Sequence, residues 1–186
     1  MKPIVKAQFQ SGWEWAKRAA LKTVGLSPKD SQPTDEWKSK MLLAEHSPIR
    51  NVIYYISIMN IRQWVTVHLV RHWLGFIPFV HTQREDRRHL EIPRDELPQG
   101  SLNDMDISAN AQALINVSKK RLCNCASKET KEAWQEVKKA INEIDPIMAS
   151  KMVPHCIYRG FCPEIKSCGF ANTEEFKKQL KDYRNG

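Results

Sequence analysis

A strand pattern followed at once by a helix pattern is the feature that most constrains the fold of this chain. Residues 51–59 (NVIYYISIM) are β-branched and aromatic, which favours a strand that is buried on both faces. Asn60 is a good helix N-cap. From there the residues Ile61, Trp64, Val65, Leu69 and His72 recur with the period of one helix face. We therefore expect a buried strand over 51–59 and a helix that begins at Asn60.

Other segments carry helix or loop patterns of their own. Helical spacing of apolar residues predicts helices over residues 8–24, from Thr34 or Asp35 to about Glu45, over 106–123, over 126–144, and from Thr173 to about Tyr183. Clusters of Pro, Ser, Asp and Gly predict loops over 27–33 and 84–103. The longest predicted helix should end at Asp145-Pro146.

Cationic side chains surround an apolar segment in the middle of the chain. His68, Arg71 and His72 lie three and four residues apart, so their side chains can converge at the end of the predicted helix. The apolar residues 74–80 follow, interrupted by Gly75 and Pro78, and a basic run from His81 to His89 comes next. Two cationic clusters around an apolar turn predict an anion-binding pocket with apolar walls.

Composition narrows the class of protein and of partner. A length of 186 residues fits one domain, taken as 1–186. Lys and Arg number 29 against 21 Asp and Glu, a net charge of +8 that favours anionic partners. The apolar run is too short to cross a membrane and the N-terminus has no secretory signal, so we expect a cytoplasmic protein with no membrane partner. No G-x-G-x-x-G or P-loop motif occurs.

The five cysteines are Cys123, Cys125, Cys156, Cys162 and Cys168. An odd number without a secretory signal favours reduced thiols. Zinc sites usually show C-x2-4-C pairs, and none occurs here. We therefore expect structural or incidental cysteines and no metal.

Two segments resemble motifs of the flavin-dependent thymidylate synthases. Arg71-His72 and the following Gln83-Arg84 resemble the motif R-H-R-x-x-S-x-N-x-x-S-x-R; Trp73, Phe76, Pro78 and His81 stand where the family has Arg, Ser, Asn and Ser. The segment Glu45 to Arg50 is similar to the family's H-x-[ST]-P-[FI] segment, with Ser47 at the hydroxyl position.

A third segment resembles the family's N-x-R-x-L-x-N-x-x-x-x-R helix. Asn110, Asn116 and Arg121 keep the spacing of that motif, and Gln112 replaces its Arg. Further along, residues 153–156, 160–164 and 167–169 are similar to the cysteine-bearing tail of some members. The three motif matches occur in the family's order, which makes them stronger together than any one alone.

The resemblance implies an α+β subunit in which helices flank a twisted antiparallel sheet. It also implies a homotetramer whose active sites combine residues of several subunits. The implied reaction is the reductive methylation of dUMP to dTMP by an FAD-dependent methyltransferase, with NADPH and methylene-tetrahydrofolate as co-substrates.

Roles for individual residues follow from the same resemblance. Arg121 would be catalytic, since a fixed guanidinium stabilises the pyrimidine anion formed when N3 loses its proton. The residues implied to bind dUMP are His68, Arg71, His81, Gln83, Arg84 and Arg121. The residues implied to bind FAD are Ser47, Arg71, His72, Trp73, Asn110, Gln112 and Asn116.

Three alternatives stay open. One is a relative that modifies another uridine nucleotide. The second is a basic, non-enzymatic nucleic-acid-binding protein on the same fold, against which the spacing of Asn110 and Asn116 counts because stacking platforms do not need it. The third is a metal-stabilised regulator built on the cysteine-rich tail.

Overall fold

The centre of the molecule is a four-stranded antiparallel sheet. The computed structural model describes residues 2–27, 31–87 and 92–185. The strands are β1 (Ile4–Ser11), β2 (Ile53–Arg62), β3 (Phe76–Val80) and β4 (Leu102–Asn110), and their order across the sheet is β1-β2-β4-β3. Helices and an antiparallel sheet in one chain confirm the expected α+β class.

Eight α-helices accompany the sheet in the described part of the chain. They are α1 (Trp13–Thr23), α2 (Asp35–Leu43), α3 (Gln63–Leu69), α4 (Ala111–Arg121), α5 (Lys128–Ile144), α6 (Pro146–Lys151), α7 (His155–Arg159) and α8 (Glu174–Asn185). Short 3₁₀ helices span Ser47–Asn51, Arg94–Glu96 and Phe170–Asn172. Among the described residues, no helix is both long and apolar enough to span a bilayer.

The helices cover one face of the sheet. On β2, Tyr54, Ile56 and Ile58 are fully buried, whereas the residues between them are half-buried. Burial therefore alternates, and the expectation that this strand is buried on both faces was wrong. The uncovered face carries Ile77 and Phe79 of the edge strand β3, whose side chains are 56% and 54% exposed.

The helix expected from Asn60 begins three residues later. Residues 60–62 continue β2 through an irregularity in its pairing with β4 between Ile58 and Ile61. Asn60 has φ +61°, and its backbone N–H donates to the Asp104 carboxylate at 2.9 Å. A bulge inserts one residue and puts Ile58 and Ile61 on the same face, three residues apart, which mimics helical spacing.

Two further helix boundaries were wrong for a similar reason. Residues 8–11 belong to β1, and residues 106–110 belong to β4, so the helices start at Trp13 and Ala111. In both places a strand runs almost directly into a helix, and apolar residues of the strand extend the helical spacing by chance. Propensity and pattern cannot separate the two without knowledge of the strand partners.

Several local signals were confirmed. The Thr34 hydroxyl accepts from the Trp37 N–H at 3.3 Å and caps α2, and the Thr173 hydroxyl accepts from the Phe176 N–H at 3.2 Å at the start of α8. The long helix ends at Ile144, although Pro146 then begins a further short helix. Parts of the expected loops and of the basic run, residues 28–30 and 88–91, lie outside the described residues.

A buried carboxylate joins the sheet to the helices. Asp145 is 5% exposed, and its Oδ2 accepts from the Trp13 indole N–H at 2.6 Å and from the Tyr54 hydroxyl at 2.7 Å. Its Oδ1 caps α6 by accepting from the Met148 N–H at 3.0 Å. Burial and the Asp145 charge raise the pKa of Tyr54 well above its usual value, so the hydroxyl remains a donor.

Asp145→Ala should lower the free energy of unfolding by about 3–5 kcal/mol, because it leaves buried donors on three elements without an acceptor. Tyr54→Phe removes one donor and leaves the carboxylate two others, so it should cost only about 1 kcal/mol. Urea denaturation of both variants measures the difference. Equal losses would contradict a shared anchor at Asp145.

Candidate functional site

The junction between β4 and α4 lies at one end of the sheet, where β2 begins and β3 begins. Ile53 pairs with Asn110, and Phe76 pairs with Ala109. The backbone N–H of Asn110 donates to the Gly75 carbonyl at 2.9 Å, and its side-chain oxygen caps α4 by accepting from the Ala113 N–H at 2.9 Å. Asn110 thus ends a strand, starts a helix and holds the turn before β3.

Gly75 allows that close approach. Its φ is +69°, and a Cβ atom placed on it would lie 2.4 Å from the Asn110 Nδ2. Glycine has no Cβ and adopts positive φ without strain, so the turn can press against the asparagine amide. The Asn110 amide nitrogen is left facing the turn while its oxygen caps the helix.

Arg121 at the end of α4 is held by the segment that follows α3. Its Nε donates to the His72 Nε2 at 3.0 Å, and its Nη2 donates to the His68 carbonyl. Burial lowers the pKa of Arg121, as does the nearby Arg71, although a guanidinium stays charged at any physiological pH. The side chain expected to be catalytic is therefore half-buried and fixed in orientation.

His72 must be neutral to accept that hydrogen bond. Burial first, and then the Arg121 charge, lower the pKa of His72 from 6.5 to about 4. Its ring also packs edge-on against Phe76, with ring centroids 6.0 Å apart. At neutral pH the imidazole is an acceptor for Arg121 and adds no charge of its own.

His68 is oriented by a pair of hydroxyl groups at the start of α5. Its Nδ1 lies 2.8 Å from the Thr130 hydroxyl oxygen, which in turn accepts from the Ser127 hydroxyl at 2.7 Å. Burial lowers the pKa of His68, and so do the charges of Arg121 and Arg71. His68, Arg71, His72 and Arg121 thus form one cluster, as the sequence spacing predicted for the first three.

A small cavity of about 140 Å³ lies beside this cluster. It is lined by Arg71, His72, Trp73, Leu74, Ala113, Asn116 and Val117. The indole of Trp73 is 75% exposed, so an apolar surface flanks the cationic group. Drug-sized ligands occupy about 300–1,000 Å³, so this cavity can hold only part of a nucleotide or flavin.

Gln112 and Asn116 belong to a polar network on the next turns of α4. The Gln112 amide donates to the Glu45 carboxylate, and the Lys119 ammonium lies 3.4 Å from the same carboxylate and donates to the Asn116 oxygen at 3.2 Å. Tyr158 closes the network: the Lys119 ammonium lies 3.5 Å from its ring centroid. The network fixes both amides, of which the Asn116 amide lines the cavity and the Gln112 amide does not.

Glu45 is ionised at the centre of this network. Burial raises the pKa of Glu45, but hydrogen bonds from Tyr158 and Gln112 and the charge of Lys119 outweigh it, so the net shift is downward. The same carboxylate raises the pKa of Tyr158 to about 12. Ser47, the remaining residue expected to contact FAD, is exposed in the 3₁₀ helix that precedes β2, at the same end of the sheet.

The other residues expected to bind nucleotide lie at the opposite end of β3. The backbone N–H of His81 donates to the Asp104 carbonyl at 2.9 Å, just beyond the last residue of the strand. Gln83 and Arg84 follow, and the guanidinium of Arg84 binds Asp86 through two hydrogen bonds of 2.9 and 2.7 Å. Five strand residues separate the two groups by about 17 Å. Within one subunit, the structure does not bring them together.

Sequence reasoning missed Thr130, Glu45, Lys119 and Gly75. Thr130 is fully buried and occupies the inward face of α5 with Trp134, Val137 and Ile141. A polar residue on an otherwise apolar stripe was a usable signal. No sequence pattern indicated the roles of Glu45 and Lys119, because the two residues are 74 positions apart and meet only in the folded chain.

Comparison with known proteins found similarity to solved structures. No family model matches the chain, and no curated protein matches it. Among solved structures, it is similar to the UMP/dUMP methylase PolB from Streptomyces cacaoi, crystallised with bound 5-Br dUMP. The two are 12% identical with a TM-score of 0.65, over 86% of this chain and 96% of that one. The chain thus shares the fold of that protein.

Gly75→Ala should destabilise the protein more than Gly25→Ala. Both glycines have positive φ, +69° and +75°, so both substitutions carry backbone strain of about 1–2 kcal/mol. A Cβ at Gly25 meets nothing within 4 Å, whereas one at Gly75 collides with Asn110. Urea denaturation should show an additional loss at Gly75, and equal losses would contradict the close packing of the turn.

His72 should make the protein less stable at acidic pH. As the pH falls from about 6.5 towards about 4, the unfolded chain takes up a proton at His72 and the folded chain does not, so the free energy of unfolding decreases. Above about 6.5 neither state is protonated and the contribution is constant. His72→Gln should remove this part of the pH dependence in urea denaturation, whereas His46→Gln, at an exposed site, should retain it.

Proposed function

We propose that this protein is an FAD-dependent methyltransferase that methylates the pyrimidine C5 of a uridine nucleotide, dUMP or UMP. The observation that supports this most directly is Arg121, held half-buried by a neutral histidine and a backbone carbonyl. It lies at the end of a helix capped by Asn110, within the fold of a UMP/dUMP methylase. NADPH and methylene-tetrahydrofolate are the proposed co-substrates.

The fixed guanidinium suits the first chemical requirement of the reaction. Carbon C5 becomes nucleophilic when the pyrimidine N3 gives up its proton, which leaves negative charge on the ring. Arg121 can stabilise that charge without reorganising, because His72 and the His68 carbonyl already orient it. A neutral His72 also leaves the positive charge concentrated on Arg121, where an anionic ring would bind.

The residues beside the cavity fit a flavin nucleotide. Arg71 offers a charged hydrogen-bond donor to phosphate, and the exposed Trp73 offers an apolar surface. The amide nitrogen of Asn110 faces the turn at Gly75, a residue that has no Cβ atom. Ser47, His72, Gln112 and Asn116 are the further proposed contacts. When bound, reduced flavin supplies the hydride of the reductive methylation.

A second copy of the chain would complete the site. His81, Gln83 and Arg84 lie too far from Arg121 to hold the same nucleotide within one subunit, and the cavity beside Arg121 is too small for a whole one. Between the two groups, Ile77 and Phe79 project from the uncovered face of the sheet. We propose that these two side chains belong to the contact between subunits. We propose a homotetramer in which Arg84 of one subunit serves the Arg121 of another.

Visible absorbance tests the proposal directly. Purified protein mixed with FAD should bind it, and the flavin spectrum should shift on addition of dUMP or UMP. Arg121→Ala should retain FAD but lose about 10²–10³ in turnover, the usual cost of removing a donor to a developing anion. Lys139→Ala, which removes an exposed charge from α5, is the control and should behave as wild type. If the protein binds neither FAD nor either nucleotide, the result would contradict the proposed enzymatic function and favour nucleic-acid binding.

Mixing two impaired variants tests the shared site. Arg121→Ala and Arg84→Ala should each retain only a small residual turnover alone, because each impairs every site of its own tetramer. Co-expressed, they should recover a measurable fraction of turnover, since some sites then combine an intact Arg121 with an intact Arg84 from different chains. Mixed tetramers, confirmed by native mass spectrometry, without this recovery would show that both residues act within one subunit.

A further inference from the structure

A cavity of about 260 Å³, separate from the one beside Arg121, lies between the end of α4, α5, the start of α7 and the loop 160–169. Four cysteines are among the residues that line it, and we call it the cysteine cavity: Cys123, Cys156, Cys162 and Cys168. In the described part of the chain, no three His, Cys, Asp or Glu side chains lie close enough together to hold a metal ion. A thiolate-ligated metal therefore does not fit this cavity, and its other lining residues indicate a different ligand.

One face of α5 presents cationic and amide side chains to the cysteine cavity. Lys131, Gln135 and Lys138 line it and lie four and three residues apart, so they share that face of the helix. The Lys131 ammonium donates to the side-chain oxygen of Asn124, which also lines the cavity. Among the described residues, the Lys138 ammonium has neither a hydrogen bond nor an ion pair, and burial lowers the pKa of Lys138. A partly shielded cation without a partner is a group that a bound anion would satisfy.

His155 faces the same cavity from the start of α7. Its Nδ1 is buried, and no described residue is its hydrogen-bond partner. Buried polar side-chain atoms in folded proteins rarely lack a partner, so this nitrogen calls for a bound group. Burial, and then the charges of nearby cations, lower the pKa of His155. The imidazole is therefore neutral at physiological pH, and its Nδ1 can carry the proton and donate it to an anion.

The charges around the cavity are predominantly positive. Lys131 and Lys138 are the cations among the described residues that line it, and Glu164 is the carboxylate. That carboxylate is already paired with Lys120, whose ammonium lies 3.6 Å from it. The two lysines of α5 thus keep their positive charge uncompensated by an acidic partner. Such a cavity favours an anionic ligand over a neutral or cationic one.

We propose that the cysteine cavity binds a phosphate group, either inorganic phosphate or the phosphate of a compact phosphomonoester, between Lys131, Lys138 and His155. Lysine ammonium groups bind phosphate as point charges, and the imidazole adds a directed hydrogen bond. The amides of Gln135 and Gln179, which also line the cavity, offer donors and acceptors to the hydroxyl groups of an ester.

The size of the cavity limits what the phosphate can be attached to. Its volume of about 260 Å³ lies below the range of about 300–1,000 Å³ that pockets for drug-sized ligands span. A small phosphomonoester fits this space, whereas a whole nucleotide or flavin does not. The cavity shares no lining residue with the one beside Arg121, so this phosphate site is additional to the proposed nucleotide site.

Thiol labelling of full-length protein, without FAD or pyrimidine nucleotide, tests the proposal. Cys162 lines the cavity and is half-buried, whereas Cys125 is exposed and is not among the lining residues. Inorganic phosphate or glycerol 3-phosphate should slow the labelling of Cys162 by uncharged iodoacetamide several-fold and leave Cys125 unchanged, as mass spectrometry can measure. Sodium chloride at the same ionic strength should protect neither cysteine. Stronger protection by glycerol 3-phosphate would identify a phosphomonoester as the ligand, and equal protection would identify phosphate itself.

Charge variants of α5 test which side chains hold the phosphate. Lys138→Met should weaken phosphate binding, measured by isothermal titration calorimetry, about tenfold or more, since it removes a charged partner. Lys139→Met is the matched control: it changes the net charge equally, but Lys139 pairs with Glu136 on the exposed face and should leave the affinity unchanged.

Two results would overturn the proposal. One is wild-type protein that neither binds phosphate or glycerol 3-phosphate in calorimetry nor protects Cys162. The other is equal affinity in the Lys138 and Lys139 variants, which would mean that the anion binds elsewhere. If Lys138→Met fails to fold, Lys131→Met and the wild-type protection decide the question. Neither measurement uses FAD or dUMP, so failure here is distinct from failure of the proposed reaction.

Discussion

The contact between Asn110 and Gly75 is the constraint on which the proposed site depends. A single asparagine pairs with β2, caps α4 and bonds to the turn that leads into β3. Its position determines where α4 starts and therefore where Arg121, three turns later, meets the segment after α3. The glycine is needed because only a residue without a Cβ can lie this close to the asparagine amide.

Charge repulsion within the cationic cluster is limited because His72 is neutral at physiological pH. Arg121 keeps its charge, and a second charge at His72 would be half-buried beside it. Burial and the neighbouring guanidinium instead keep the imidazole neutral at physiological pH. A neutral His72 does not repel Arg121. It accepts a hydrogen bond from the Arg121 guanidinium instead, and this bond orients the arginine side chain.

The cysteine-rich tail and the proposed catalytic residue share one helix end. Cys123 lies two residues after Arg121, and Lys120 pairs with Glu164 in the loop that covers the cysteine cavity. In this arrangement Asn110 anchors the start of the helix and the tail anchors its end.

The α+β class followed from the resemblance to a known family. The sequence patterns by themselves determined the caps at Thr34 and Thr173, the long amphipathic helix, and the cationic cluster of His68, Arg71 and His72. These depend on neighbours within one or two helical turns, which a linear pattern records. Only the tertiary structure decided that residues 60–62 and 106–110 are strand, because a bulge and a strand partner override helical spacing there. It also decided that His81 and Arg84 lie a strand length from Arg121, and that four cysteines distant in sequence line one cavity. Contacts of this kind join residues tens of positions apart, and no local pattern specifies them.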